Sequence, residues 1–172
     1  MRTITLITTG GTIEKTYDEQ TGQLLNRKSI VQRMLRRLRL EDTSIKIIEL
    51  MSKDSLHMTE DDRAQIVETV RENAPDCRGI VILHGTDTLC TTGECLFCGI
   101  PQPTVPVILT GAMRPYEMTR SDALQNLTES IFATGLLTPG IYACAHGRIL
   151  RFPGIQKDRE RGTFVAALAR SS

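Results

Sequence analysis

Three short apolar runs of β type, Ile4 to Thr8, Ile80 to Leu83 and Val105 to Leu109, stop abruptly at glycine and hydroxyl-bearing residues. The segments that follow are Thr9-Gly10-Gly11-Thr12-Ile13, His84-Gly85-Thr86-Asp87-Thr88 and Thr110-Gly111-Ala112-Met113-Arg114-Pro115. A continuous apolar run of this length suits a central strand covered on both faces. Helical patterns lie between the runs, so the chain reads as successive βα units: an α/β fold with an open, mostly parallel sheet and helices on both faces. Ligands of such sheets bind in the crevice outside the carboxyl ends of the strands, which directs all three segments toward one site.

Thr3 to Thr8 is the first strand, and the polar stretch Thr16 to Asn26, with Asp18, Gln20 and Gly22, reads as a loop. Ser29 to Leu38 carries Ile30, Met34, Leu35 and Leu38 at helical spacing, with Arg33, Arg36, Arg37 and Arg39 as a solvated face. Ile45 to Met51 is a second strand, ending in Ser52-Lys53-Asp54. Thr59 to Asn73 is a helix capped by Thr59, with Glu60, Asp61 and Asp62 at the positive end of its dipole and an inward stripe of Ala64, Val67, Val70 and Ala74. A helix starting near Thr91, with Glu94 at capping-box spacing, follows the Ile80 run. Ser121 to Ala133 is a further helix, Ile141 to Ala145 a strand, and Gly147 to Gln156 a hairpin partner or extended arm. Lys157 to Gly162 reads as a charged loop before the apolar end Phe164 to Leu168. No linker divides the chain, and residues 1–172 are expected to form a single domain.

Glycine after a strand and threonine near a helix start also serve ordinary turns and caps. The three segments together carry more: two threonines and a carboxylate meeting at one crevice suit hydroxyl attack on an amide or ester. In this order, the segments resemble the bacterial-type L-asparaginase and glutaminase-asparaginase family, specifically its N-terminal domain, from Thr3 to about Phe164. The resemblance does not extend to the second domain usual in that family, and no second domain is expected.

The resemblance implies Thr12 as nucleophile, with Gly11 allowing close backbone approach and Tyr17 as the nearby tyrosine that would help activate it. It implies that Thr86 works with Lys157 on the scissile amide or attacking water, and that Asp87 pairs with the substrate α-ammonium. Ser52 resembles the serine that holds the α-carboxylate, accompanied by Asp54, and the Ala112 carbonyl matches an acceptor for the amide nitrogen. The implied reaction converts L-asparagine to L-aspartate and ammonia through a β-aspartyl ester on threonine. A glutaminase, a broader amino-acid amidase and a catalytically silent amino-acid-binding module are the alternatives. Asparagine and glutamine differ by one methylene, worth only about 1–3 kcal/mol in a pocket. Because the family's second domain supplies an acidic residue to a neighbouring active site, Glu14 or Asp122 is a candidate substitute. A homo-oligomer, dimer or tetramer, is expected.

Composition excludes other classes. A net charge of +1 and 4% aromatic residues offer neither a phosphate field nor stacking platforms, so nucleic acid is not an expected partner. No apolar run reaches membrane-spanning length and Met1-Arg2 leads directly into a strand, so neither membrane nor secretion is expected and a cytoplasmic location is. Five cysteines fit a reducing compartment. Cys90, Cys95 and Cys98 have the C-x4-C-x2-C spacing of plant-type iron–sulfur proteins, with Cys144 a conceivable fourth ligand, but the expected helix disfavours a cluster loop. His57, His84 and His146 lack metal-ligand spacing, and His84 reads as a strand-end packing residue. The first turn lacks both nucleotide-binding glycine motifs. No cofactor and no metal is therefore expected.

Overall fold

The computed structural model describes residues 1–167. Its centre is a six-stranded sheet built from β1 (Arg2–Gly10), β4 (Thr43–Lys53), β5 (Ile80–Leu83), β6 (Pro106–Thr110), β7 (Gly140–Ala145) and β8 (Arg148–Arg151). The spatial order is β4-β1-β5-β6-β7-β8. All pairings are parallel except β7 with β8, which are antiparallel. His146 and Gly147, both at positive φ, make the tight turn between these two strands, so Gly147 to Gln156 begins as a hairpin partner.

Side-chain alternation divides the core. Ile7, Ile80, Ile82, Val107 and Leu109 face α2 (Glu60–Asn73) and α3 (Leu89–Gly99). Ile4, Leu6, Val81 and Leu83 face α1 (Val31–Leu35) and α4 (Ala123–Ala133). Helices thus cover both faces, which is why the central strands read as unbroken apolar runs. The chain leaves β1 for β4 on one side, then returns to β5 on the other side of β1. The order reverses between β1 and β5, and the crevice at their carboxyl ends is the topological switch point where open α/β sheets bind ligands.

Several elements depart from the sequence expectations. Thr16 to Asn26 contains a two-stranded hairpin, β2 (Thr16–Asp18) and β3 (Gln23–Leu25), rather than only loop. α1 is one short stretch, and Arg37 and Leu38 continue it with i→i−3 bonds to Met34 and Leu35, not as regular α-helix. α2 has the expected Thr59 cap, in a reciprocal box with Asp62. Its inward stripe is Arg63, Ile66, Val67 and Val70, whereas Ala64 is exposed. The buried Arg63 guanidinium caps carbonyls of Met58 and Thr59, which lets a charge occupy a position that apolar periodicity assigns to the next residue. α3 starts at Leu89, so Thr91 is interior, and Glu94 accepts from the Gly154 amide instead of closing a capping box.

Cys90, Cys95 and Cys98 lie along this helix, and burial pushes the Cys90 thiol up to about 11. Lys157 and Asp158 are not loop but part of β9 (Ile155–Asp158), which pairs antiparallel with β10 (Thr163–Ala166). Leu168, the expected end of the last apolar run, lies outside the described residues. Among the described residues no helix is long and apolar enough to cross a membrane, and no three His, Cys, Asp or Glu side chains converge as metal ligands.

Candidate active site

The loops after β1 and β5 meet backbone to backbone. Gly11 has φ +79°, and a β-carbon there would collide with the Gly85 backbone. Only glycine meets both demands, left-handed conformation and absence of a side chain. The Gly11 amide donates to the Lys53 carbonyl at 2.9 Å, joining the end of β4 to the same junction. Asn26, just beyond β3, donates to the Gly11 carbonyl at 2.8 Å. Thr12 follows in a 3-10 turn, half-buried at the mouth of the crevice.

On the loop after β5, Thr86 is 5% exposed, and Asp87 follows it. Lys157 reaches in from β9, donating to Thr86 Oγ1 at 2.8 Å and to Asp87 Oδ1 at 2.9 Å. Arg159, at the turn beyond β9, also reaches Asp87 Oδ1, at 3.3 Å. The lysine ammonium thus binds a hydroxyl and a carboxylate at once. The third strand-end segment closes the crevice: Ala112 is buried in the same apolar cluster as Ile13, and Asn126 holds the Gly111 carbonyl at 2.9 Å.

The residues after β4 divide differently from the sequence expectation. Ser52 is exposed on β4, where it lines a cleft of about 470 Å³ with Lys15, Asn26, Asp54 and His57. Asp54 accepts from Lys15 Nζ at 2.8 Å and from the Leu56 amide at 3.1 Å. The Lys15 hydrogen bond is the main reason its carboxyl lies below the usual range. Ser55, one residue on, was not singled out from sequence. It is 1% exposed, its Oγ has no hydrogen-bond partner, and a β-carbon on Gly85 would stand 2.5 Å from that oxygen. An unpaired buried hydroxyl costs about 1–3 kcal/mol, and here it lies against the loop that carries Thr86. A serine in Asp-Ser after a strand looks like a turn residue, so only the fold reveals its position.

Tyr17 lies on the hairpin, paired with Leu24 and 59% exposed, and its hydroxyl stands 4.0 Å from the β-carbon position of Gly22 at the hairpin turn. Glu14 is buried and accepts from the Gly10 amide at 3.2 Å and from the Ser29 hydroxyl. Burial raises its pKa, against the lowering effect of those two bonds. Asp122 accepts from the amides of Met113 and Arg114, from Asn126 and from His146. Burial alone would raise its pKa, but these donors prevail and hold it below the usual range. Both acids are committed within their own chain, a placement that removes the reason for offering either to a neighbouring copy.

His84 is fully buried behind Gly85, as a packing residue with a polar task. Its Nδ1–H donates to the Gly85 carbonyl and the Thr92 hydroxyl donates to Nε2, each at 2.8 Å. Burial lowers its pKa from 6.5 to about 4. Between those values the unfolded chain takes up a proton that the native imidazole refuses, so stability is full above pH 6.5 and falls as pH drops toward 4. The loss is on the order of 3 kcal/mol by pH 4. Chemical denaturation from pH 7 to 4 is expected to lose this slope in His84→Gln, and an equal slope in both proteins would refute the assignment.

Known proteins resemble this chain in sequence and fold. The family model described as "Asparaginase, N-terminal" matches residues 3–164. The L-asparaginase of Thermococcus kodakarensis is 34% identical over 156 residues, covering 90% of this chain and 47% of that protein. L-asparaginase 1 of Escherichia coli (strain K12) is 33% identical over 129 residues, covering 72% of this chain and 38% of its own length. The structure of the thermostable T. kodakarensis L-asparaginase superposes with a TM-score of 0.85 at 28% identity, over 95% of this chain and 51% of that one. The chain therefore spans about half the length, or less, of the relatives it matches.

Proposed function

Because the chain belongs to the asparaginase N-terminal family of amidohydrolases, we propose that it hydrolyses L-asparagine to L-aspartate and ammonia, with Thr12 as nucleophile. The observation that carries this reading is the junction of Thr86, Asp87 and Lys157 at the switch point, on the loop whose Gly85 backbone meets Gly11, the residue before Thr12. The Thr12 hydroxyl attacks the side-chain carboxamide, forming a β-aspartyl ester, and the amide nitrogen leaves as ammonia with the transferred proton. Water then adds to the ester and releases aspartate and the free hydroxyl. Thr86 and Lys157 carry protons in both steps, Asp87 Oδ2 receives the α-ammonium, and the Ala112 carbonyl accepts from the amide nitrogen. No cofactor or metal enters these steps.

Ser55 takes the role expected of Ser52: the α-carboxylate supplies the acceptor its buried hydroxyl lacks. Asp54, fixed by Lys15, shapes the turn that presents Ser55. Tyr17 acts on Thr12 only when the β2–β3 hairpin closes over the ligand. Ammonia release from L-asparagine, with L-glutamine as comparison, tests the reading. Asparagine turnover supports it. Turnover of neither amide, with asparagine still raising the melting temperature, replaces it with an amino-acid-binding module. Within the proposed reaction, Ser55→Ala is expected to raise KM for asparagine about tenfold, corresponding to one lost charge-assisted bond, whereas Ser52→Ala leaves it within twofold. The reverse order would restore Ser52 to the carboxylate.

A further inference from the structure

His146 is absorbed neither by the fold's regular pairing nor by the reaction as written. It occupies the β7–β8 turn at φ +54°, and its backbone amide donates to Asn126 Oδ1 at 3.0 Å. Its ring bridges two separate pieces of the crevice. Nε2–H donates to Asp122 Oδ2 at 2.7 Å, and the Thr163 hydroxyl, 3.1 Å away, donates to Nδ1. The same Asp122 carboxylate receives the amides of Met113 and Arg114, at the end of the segment carrying Ala112. Thr163 is buried on β10, which among the described residues is the one sheet partner of the strand that carries Lys157.

The β9–β10 ribbon lies outside the six-stranded sheet, so few backbone bonds set its orientation. Lys157 pairs with Phe164, and Phe164 and Ile155 anchor that face in the core. Successive residues of a strand face opposite ways, so Thr163 presents the other face of the ribbon. The His146 bond to Thr163 grips that second face, and Arg148 donates to the Phe164 carbonyl at 3.3 Å. A two-stranded ribbon on its own is marginal, and a ribbon held on one face alone can roll about its axis.

We propose that His146 is a positioning residue that locks the Lys157 ribbon to the Ala112 loop through the Asp122–His146–Thr163 chain, holding the lysine at its 2.8 Å distance from Thr86. The chemical role of Lys157 rests on the reading above, but the lock itself does not. Imidazole suits the task because one ring offers a donor to the carboxylate and an acceptor to the hydroxyl on opposite edges. Glutamine carries the same pair of functions on a side chain of similar reach. Asparagine tolerates the left-handed backbone but is too short to bridge.

The test combines backbone hydrogen exchange with kinetics in His146→Asn, Thr163→Val and His146→Gln. Amide exchange across Ile155–Asp158 and Thr163–Ala166 is expected to accelerate about tenfold or more in the first two variants, with β1 and β5 unchanged. Partial return toward the parent rate is expected in His146→Gln. A misplacement of a catalytic group by about 1 Å can cost roughly a hundredfold in rate. Hence kcat for asparagine should fall tenfold to a hundredfold in the first two variants, with KM within twofold. Unchanged ribbon exchange in both variants would overturn the lock, whatever the activity. Faster exchange in variants of a protein that hydrolyses no amide would leave the lock standing and remove the proposed reaction.

Discussion

Thr12→Ala is expected to lower ammonia release from L-asparagine by about a thousandfold or more, with the fold preserved. The size follows from chemistry: without the hydroxyl no ester intermediate forms, and the crevice retains only binding and polarisation of the amide. Preservation of the fold follows from structure. Thr12 is half-buried, and its loop is held by the backbone contacts of Gly10 and Gly11 with β4 and β5. The variant should therefore keep the parent melting temperature within a few degrees and still bind asparagine. Mass spectrometry of acid-quenched parent protein should find an aspartyl adduct that the variant lacks. An active Thr12→Ala protein would move the nucleophile elsewhere, with Thr86 the first residue to replace.

Gly11→Ala should lose about 3 kcal/mol or more of stability. Two costs add: alanine disfavours φ +79°, and its β-carbon overlaps the Gly85 backbone. Gly147→Ala separates them, because Gly147 has φ +73° but nothing within 4 Å of the added carbon. That control should lose only about 1 kcal/mol, the conformational part. At ~2–4 °C per kcal/mol for a chain of this size, the melting temperatures should differ by several degrees. Equal losses would mean that the β1 and β5 loops part readily, and that the crevice does not depend on their contact.

Much of this architecture can be read locally. Ile80 to Leu83 and Val105 to Leu109 are apolar throughout because both faces of their strands are covered, and that burial leaves its mark in composition alone. The glycines that end β1 are likewise local signals. The β2–β3 hairpin escaped because Thr16 to Asn26 is mostly polar and exposed, so no alternation of burial marks its strands. β9 escaped for a related reason: Ile155-Gln156-Lys157-Asp158 holds one apolar residue, and its strand conformation comes from pairing with β10. In α2, a buried arginine displaced the expected alanine because its guanidinium found backbone acceptors that no pattern of hydrophobicity records.

By itself, then, the sequence determined the α/β class, the strand ends and the residue types gathered there, because each depends on backbone preference and burial over a few neighbours. The tertiary structure decided which of those residues meet. Lys157 and Thr86 are 71 positions apart, and their bond exists only because a ribbon outside the sheet folds back over α3. Ser55 rather than Ser52 faces Gly85 because β4 runs through Lys53 before the chain turns. His146 joins Asp122 to Thr163 because a hairpin turn, a helix start and a ribbon converge at one corner. Contacts between distant segments are set by the packing of whole elements, and local sequence carries no record of that distance.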